Sequence, residues 1–248
     1  MVLIIGPGRS GTSVLALLYK ELGFDPGGVW REDTRSGLED PEIVALNEEI
    51  LEFLGLSPMG APTGASRRIR RAGKSLVPAR YRSRIRKQLG WLPWMASARV
   101  QTLGWDRFDG AVQAFRERIG AAASRREVAK DPRFLWTLPV WAASEAPLQH
   151  AVITFRNLDA VIKGRAEIDS VRYHSEAAIR DSVVYGLGLT TWATQEWRLT
   201  HEWLRFPGFL DDPDLLFQLL RFPRPVSQER FVEVFNEVRR PGHIHDRR

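Results

Sequence analysis

The chain has 248 residues and 28.3 kDa, enough for one ordinary domain with a real core. With 44% hydrophobic and 27% charged residues, its composition is that of a soluble globular protein and excludes collagen-like, low-complexity and wholly disordered classes. The net charge of +6 is uneven: residues 53 to 105 carry eleven Arg or Lys and no Asp or Glu, leaving 25 bases against 30 acids elsewhere.

That basic block, densest between Arg67 and Lys87, suits an anionic partner or a solvated insertion. Zero cysteines exclude a disulfide framework, a thiolate nucleophile, an iron–sulfur cluster and cysteine-ligated zinc. The five His form no HExxH pair, and His243 and His245 at the tail have a chance-like spacing, so no metal is expected. The longest apolar runs fall far short of the ~20 residues a bilayer span needs. Met1 leads straight into Val2 with no basic n-region, so the expected compartment is the cytoplasm.

The opening reads as strand, glycine loop, helix. Val2 to Ile5 is a short continuous apolar run, as in a central parallel strand covered on both faces. Gly6-Pro7-Gly8-Arg9-Ser10-Gly11 interrupts it, and from Thr12 the apolar positions Val14, Leu15, Leu17, Leu18 and Leu22 recur at helical spacing up to Gly23. Asp40-Pro41 is an N-cap with proline at the first turn, predicting a second helix that runs to Gly55. Residues 57 to 105 are rich in Pro, Gly, Ser and Arg with interspersed Tyr81, Trp91, Trp94 and Trp105, and read as an insertion.

Helical spacing resumes with Ala111, Val112, Phe115 and Ile119. A short strand, Glu127 to Ala129, then ends in Lys130-Asp131-Pro132-Arg133. A third strand, Ala151 to Phe155, ends at Arg156 and leads into a helix over Leu158 to Lys163. The final third is predicted helical, over about Ser175 to Arg205, Asp214 to Arg221 and Ser227 to Val238. Trp136, Trp141, Trp192, Trp197 and Trp203 fall at helical positions and are expected in the core, with His150 a structural residue. Strands alternating with helices predict a single α/β domain, a three-layer arrangement around a mainly parallel sheet.

A strand, a Gly-rich turn and a helix N-terminus together suit phosphate binding: backbone N–H groups turn inward and the helix dipole adds positive potential. Gly6 and Gly11 have the spacing of G-x-x-x-x-G-K-[ST], but Thr12 occupies the lysine position and Arg9 is the loop's lone cation, which disfavours an ordinary ATPase. Gly6, Gly8 and Gly11 also satisfy G-x-G-x-x-G, against which stand Pro7 and the lack of an acidic residue ending a second strand at the usual distance.

Gly6-Pro7-Gly8-Arg9-Ser10-Gly11-Thr12-Ser13 resembles the 5′-phosphosulfate loop of sulfotransferases that use 3′-phosphoadenosine 5′-phosphosulfate. Further pieces follow in that family's order: Gly37-Leu38-Glu39-Asp40 before a helix with Leu46-Asn47-Glu48, then Lys130-Asp131-Pro132-Arg133, then Ile153-Thr154-Phe155-Arg156-Asn157, and a tail near Arg239-Arg240-Pro241. The resemblance covers most of the chain outside 57 to 105 and implies a P-loop-type fold. It implies that the loop N–H groups hold the phosphosulfate, with Thr12 and Ser13 hydroxyls assisting and Arg9 stabilising charge on the bridging oxygen. It implies that Arg156, at a strand's C-terminal end, pairs with the 3′-phosphate.

The family usually places Ser eight residues after that Arg; here the position is Gly164, with Lys163, Arg165 and Ser170 as substitutes. Glu39 is implied as the base for the acceptor hydroxyl, with Glu32, Asp33 and His174 in reserve, and Lys130 as a contact to sulfonate or acceptor. The expected donor is 3′-phosphoadenosine 5′-phosphosulfate without a metal, and the expected partner a small-molecule or carbohydrate acceptor bearing a hydroxyl or, less favoured, an amine. Residues 57 to 105 are the candidate acceptor lid, and no nucleic acid is expected. Arg outnumbers Lys 31 to 5, which fits a high-GC bacterial source and, by association, secondary metabolism. The alternatives are a P-loop small-molecule kinase, which needs magnesium and a phosphate-binding lysine, and a non-enzymatic polyanion or nucleic-acid binder built on residues 67 to 87.

Overall fold

A computed structural model describes residues 1–31, 36–54, 105–166 and 176–239. In chain order the elements are β1 (Val2–Ile5), α1 (Thr12–Glu21), β2 (Trp30–Arg31), β3 (Ser36–Gly37), α2 (Pro41–Phe53), α3 (Trp105–Arg125), β4 (Val128–Lys130) and α4 (Phe134–Ala143). They continue with β5 (His150–Phe155), α5 (Leu158–Ala166), α6 (Glu176–Glu196), β6 (His201–Arg205), a 3-10 turn (Gly208–Leu210), α7 (Pro213–Leu219) and α8 (Gln228–Val238). β4, β1, β5 and β6 form one sheet in that spatial order, every pair parallel, and β2 and β3 make a small antiparallel ladder.

The apolar run of β1 is explained by burial on both faces. Leu3 and Ile5 point into a core shared with α2, α3, α4 and α6, whereas Val2 and Ile4 point into a second core with α1, α7 and α8. Period-two alternation sends successive side chains to opposite layers, so a strand without polar residues is what a covered parallel sheet requires. Each fully buried aliphatic side chain stabilises the fold by ~1.5–3 kcal/mol. Ala111, Val112, Phe115 and Ile119 are buried on one face of α3, as their spacing predicted, and Phe231, Val234, Phe235 and Val238 are buried on one face of α8. The expected N-cap is in place: Asp40 accepts from Glu42 N at 2.8 Å and Ile43 N at 3.2 Å, with Pro41 at the first turn.

The helix expected over Ser175 to Arg205 is corrected, and with it the expectation of an all-helical C-terminal third. α6 stops at Glu196, and His201–Arg205 forms β6, a fourth parallel strand paired with β5. Arg198 adopts a left-handed φ of 49°, and Leu199 N donates to Thr194 O at 3.0 Å, the six-to-one bond of a Schellman ending. Arginine stands where glycine usually marks such a stop, so the break left no compositional trace. Trp203 accordingly lies on an edge strand, 37% exposed and packed edge-on against Phe155, whereas Trp136 and Trp141 are buried in the core and Trp192 and Trp197 only half-buried. Trp105, read as part of the irregular segment, opens α3. The remainder of the insertion, with Trp91 and Trp94, lies outside the described residues, as do Glu32, Asp33, Ser170, His174 and the tail from Arg240, including His243 and His245.

Candidate anion site at the C-terminal edge of the sheet

The chain leaves β1 for β4 on one side and leaves β5 for β6 on the other. Connections therefore diverge between the C-terminal ends of β1 and β5, the crevice in which open parallel sheets bind ligands. The glycine loop follows β1, Arg156 follows β5 directly, and Lys130 ends β4 in register with Ile4 of β1. Three segments singled out in the sequence thus converge on one edge.

The loop is built around Ser10 and Thr154. Ser10 Oγ donates to Pro7 O at 2.6 Å, Ser10 N donates to the same carbonyl at 3.1 Å, and the Ser10 and Thr154 hydroxyls lie 2.7 Å apart. Gly6 must be glycine, because a Cβ there would stand 2.2 Å from Thr154 Oγ1. Gly11, the N-cap of α1, has φ of 90° and no side-chain cap, and a Cβ there would meet Phe206 Cδ2 at 2.5 Å. Ser10 therefore serves the loop's interior. Among the described residues none accepts from the N–H groups of Gly8, Arg9, Gly11, Thr12 or Ser13. A helix start of this kind, uncapped and flanked by a residue in left-handed conformation (Arg9, φ 72°), presents its N–H dipoles to an anion.

Two arginines stand beside it. The stem of Arg9 rests on α5 at Gly164, and the Arg156 guanidinium lies over the Phe206 ring, 5.2 Å from its centroid. Phe206 thus touches both halves of the crevice, the Gly11 corner and Arg156. No local sequence signal pointed to Phe206, and Thr154 stood inside the segment ending at Arg156 without a role of its own. Gly164 is half-buried beneath Arg9, and Lys163 beside it is exposed.

Across β1, Lys130 is 3% exposed and donates to Glu39 Oε1 at 2.5 Å and to Gly37 O at 3.1 Å. Glu39 is held from behind by the approach of Gly28, where a Cβ would strike Glu39 O at 2.2 Å. Two of the implied catalytic residues, Glu39 and Lys130, are therefore an ion pair, and neighbouring Asp40 joins Arg126 at 2.5 Å. Behind them Asp131, fully buried, accepts from Asn47 Nδ2 at 2.8 Å and from Arg133 N and Nη1, each at 3.0 Å. Burial opposes the Arg133 charge, but the carboxylates of Asp131 and Glu48 outweigh it and hold its pKa above the ordinary value.

Among the described residues no group of three or more His, Asp or Glu could hold a metal ion, and no helix is long and apolar enough to cross a membrane. No family model, curated protein or solved structure matches the chain.

Proposed function

We propose that the protein is a sulfotransferase with a P-loop-type fold, moving the sulfonyl group of 3′-phosphoadenosine 5′-phosphosulfate to a hydroxyl of a small-molecule or carbohydrate acceptor. The observation that carries this reading is the loop after β1. The N–H groups of Gly8, Arg9, Gly11, Thr12 and Ser13 have no acceptor among the described residues, the loop follows β1 at the sheet's switch point with Arg156 following β5 next to it, and Thr12 stands where a nucleotide kinase needs lysine.

The acceptor oxygen attacks sulfur, the bond from sulfur to the 5′-phosphate oxygen breaks, and the acceptor proton passes to Glu39. The electron pair left on the departing phosphate is met by Arg9 and the loop N–H groups, fixed donors that need no reorganisation as charge develops. Arg156 takes the 3′-phosphate. The ion pair with Lys130 presents Glu39 as a carboxylate. A loose in-line transfer of this kind depends chiefly on positioning and positive charge.

The test combines ligand-induced melting shifts with transfer of labelled sulfonate. The product 3′,5′-bisphosphate stabilises the protein without magnesium, ATP without magnesium does not, and DNA at physiological salt produces no shift. Arg9→Ala loses bisphosphate binding and turnover together. Glu39→Gln keeps binding and loses about 10²–10⁴-fold in turnover. Stabilisation by DNA alone would overturn the proposal, and normal turnover by Glu39→Gln would place the base elsewhere.

A further inference from the structure

The fold joins two chain segments through a buried polar contact that stability alone does not explain. Asn47 on α2 and Asp131 after β4 are both fully buried, 84 residues apart in sequence, and bonded at 2.8 Å. The same two segments carry the Glu39–Lys130 pair: Glu39 lies just before the start of α2 and Lys130 immediately before Asp131.

Every polar atom of the contact is occupied. Asn47 Oδ1 accepts from Thr137 Oγ1 at 2.7 Å and from Trp141 Nε1 at 2.8 Å, while Asp131 uses its other oxygen for Arg133. Burying a carboxylate costs several kcal/mol before its partners repay it, and apolar residues of similar volume often serve stability as well. What an apolar pair cannot do is fix register. A satisfied network admits one alignment of its members, and a displacement of an ångström leaves a buried charge unpaired.

We infer that Asp131 and Asn47 are positioning residues that hold Lys130 against Glu39, so that the base and the cation keep a fixed place at the crevice. The contribution to catalysis rests on the function proposed above, whereas the positioning itself is a property of the folded chain. Lys130 is buried and bonded twice, which shields its amine from reagents.

The experiment measures reductive methylation of Lys130 under native conditions by mass spectrometry, each protein held well below its own melting midpoint. In the wild type Lys130 is protected. Asn47→Asp sets two carboxylates against each other, and Asp131→Asn sets two amides against each other; each is expected to label Lys130 roughly tenfold faster or more through local opening. The reciprocal double variant Asn47→Asp/Asp131→Asn restores every donor and acceptor with roles exchanged, and restores protection. Thr137→Val, which removes one donor to Asn47 and keeps its volume, gives intermediate labelling and keeps the test decisive if a single variant fails to fold.

Protection of Lys130 in folded Asn47→Asp, Asp131→Asn and Thr137→Val would overturn the inference, as would a folded double variant with Lys130 exposed. Turnover is followed in parallel. If protection is lost and regained as expected but no protein in the series transfers sulfonate, the positioning stands and the proposed function falls.

Discussion

Gly164 lies beneath Arg9: a Cβ on Gly164 would come 3.2 Å from Arg9 Cγ, so α5 leaves a seat for the arginine stem only because that residue has no side chain. The position where the sulfotransferase pattern has Ser for the 3′-phosphate is here part of the support for the loop cation.

Gly164→Ala is therefore expected to move stability and ligand affinity in opposite directions. Replacing an interior helical glycine gains about 0.5–1 kcal/mol in propensity, partly offset by the tight contact. The Arg9 stem must yield by a few tenths of an ångström, and bisphosphate affinity should weaken about three- to tenfold. Thermal melting and titration calorimetry check the pair of effects. Equal affinity in wild type and variant would mean that Arg9 takes no part in binding.

Gly11→Ala should be severe. The residue has φ of 90°, which costs an alanine about 1–2 kcal/mol, and its Cβ would overlap Phe206 at 2.5 Å, with overpacking adding roughly 1–3 kcal/mol. Phe206→Ala destabilises on its own through the cavity it leaves, but the double variant should be less destabilised than the sum of the singles, because the clash is gone. Chemical denaturation of the four proteins gives the coupling, and strict additivity would refute the contact.

Arg198→Gly is expected to stabilise. Arg198 holds φ of 49° at the end of α6, where glycine carries no steric penalty; the gain, reduced by glycine's greater freedom in the unfolded chain, is about 0.5–1 kcal/mol. A raised melting midpoint checks it, and a lowered one would show that the arginine side chain contributes more than its backbone costs.

The β1–loop–α1 unit and the cap of α2 were legible because their signals are local: an apolar run, glycines at fixed spacing, an Asp-Pro pair. The edge strand β6 was not, since an arginine performs the turn that glycine usually announces. Thr154, Phe206 and the Asn47–Asp131 contact were illegible for another reason. Ser10 and Thr154 are 144 residues apart, and nothing in either neighbourhood encodes the other. Asn47 and Asp131 stood inside recognised segments, but only packing shows that those segments meet.

His150 should impose an acid limb on stability. It opens β5, paired in register with Val2, is 3% exposed, and has Thr200 Oγ1 3.4 Å from its Nδ1. Burial, followed by the charges of Arg221 and His201, pushes its pKa down to about 4, against about 6.5 in an unfolded chain. Above pH 6.5 the ring is neutral in both states and its contribution is fully present. Between pH 6.5 and 4 the unfolded chain binds a proton that the folded chain refuses, so stability falls as the medium is acidified, with a slope approaching one proton. His150→Leu removes the titration and leaves His201 in place. Denaturation at a series of pH values from 7.5 to 4.5 should therefore show the wild type losing ground to the variant across this window, and parallel curves would mean that His150 is not the source of the acid sensitivity.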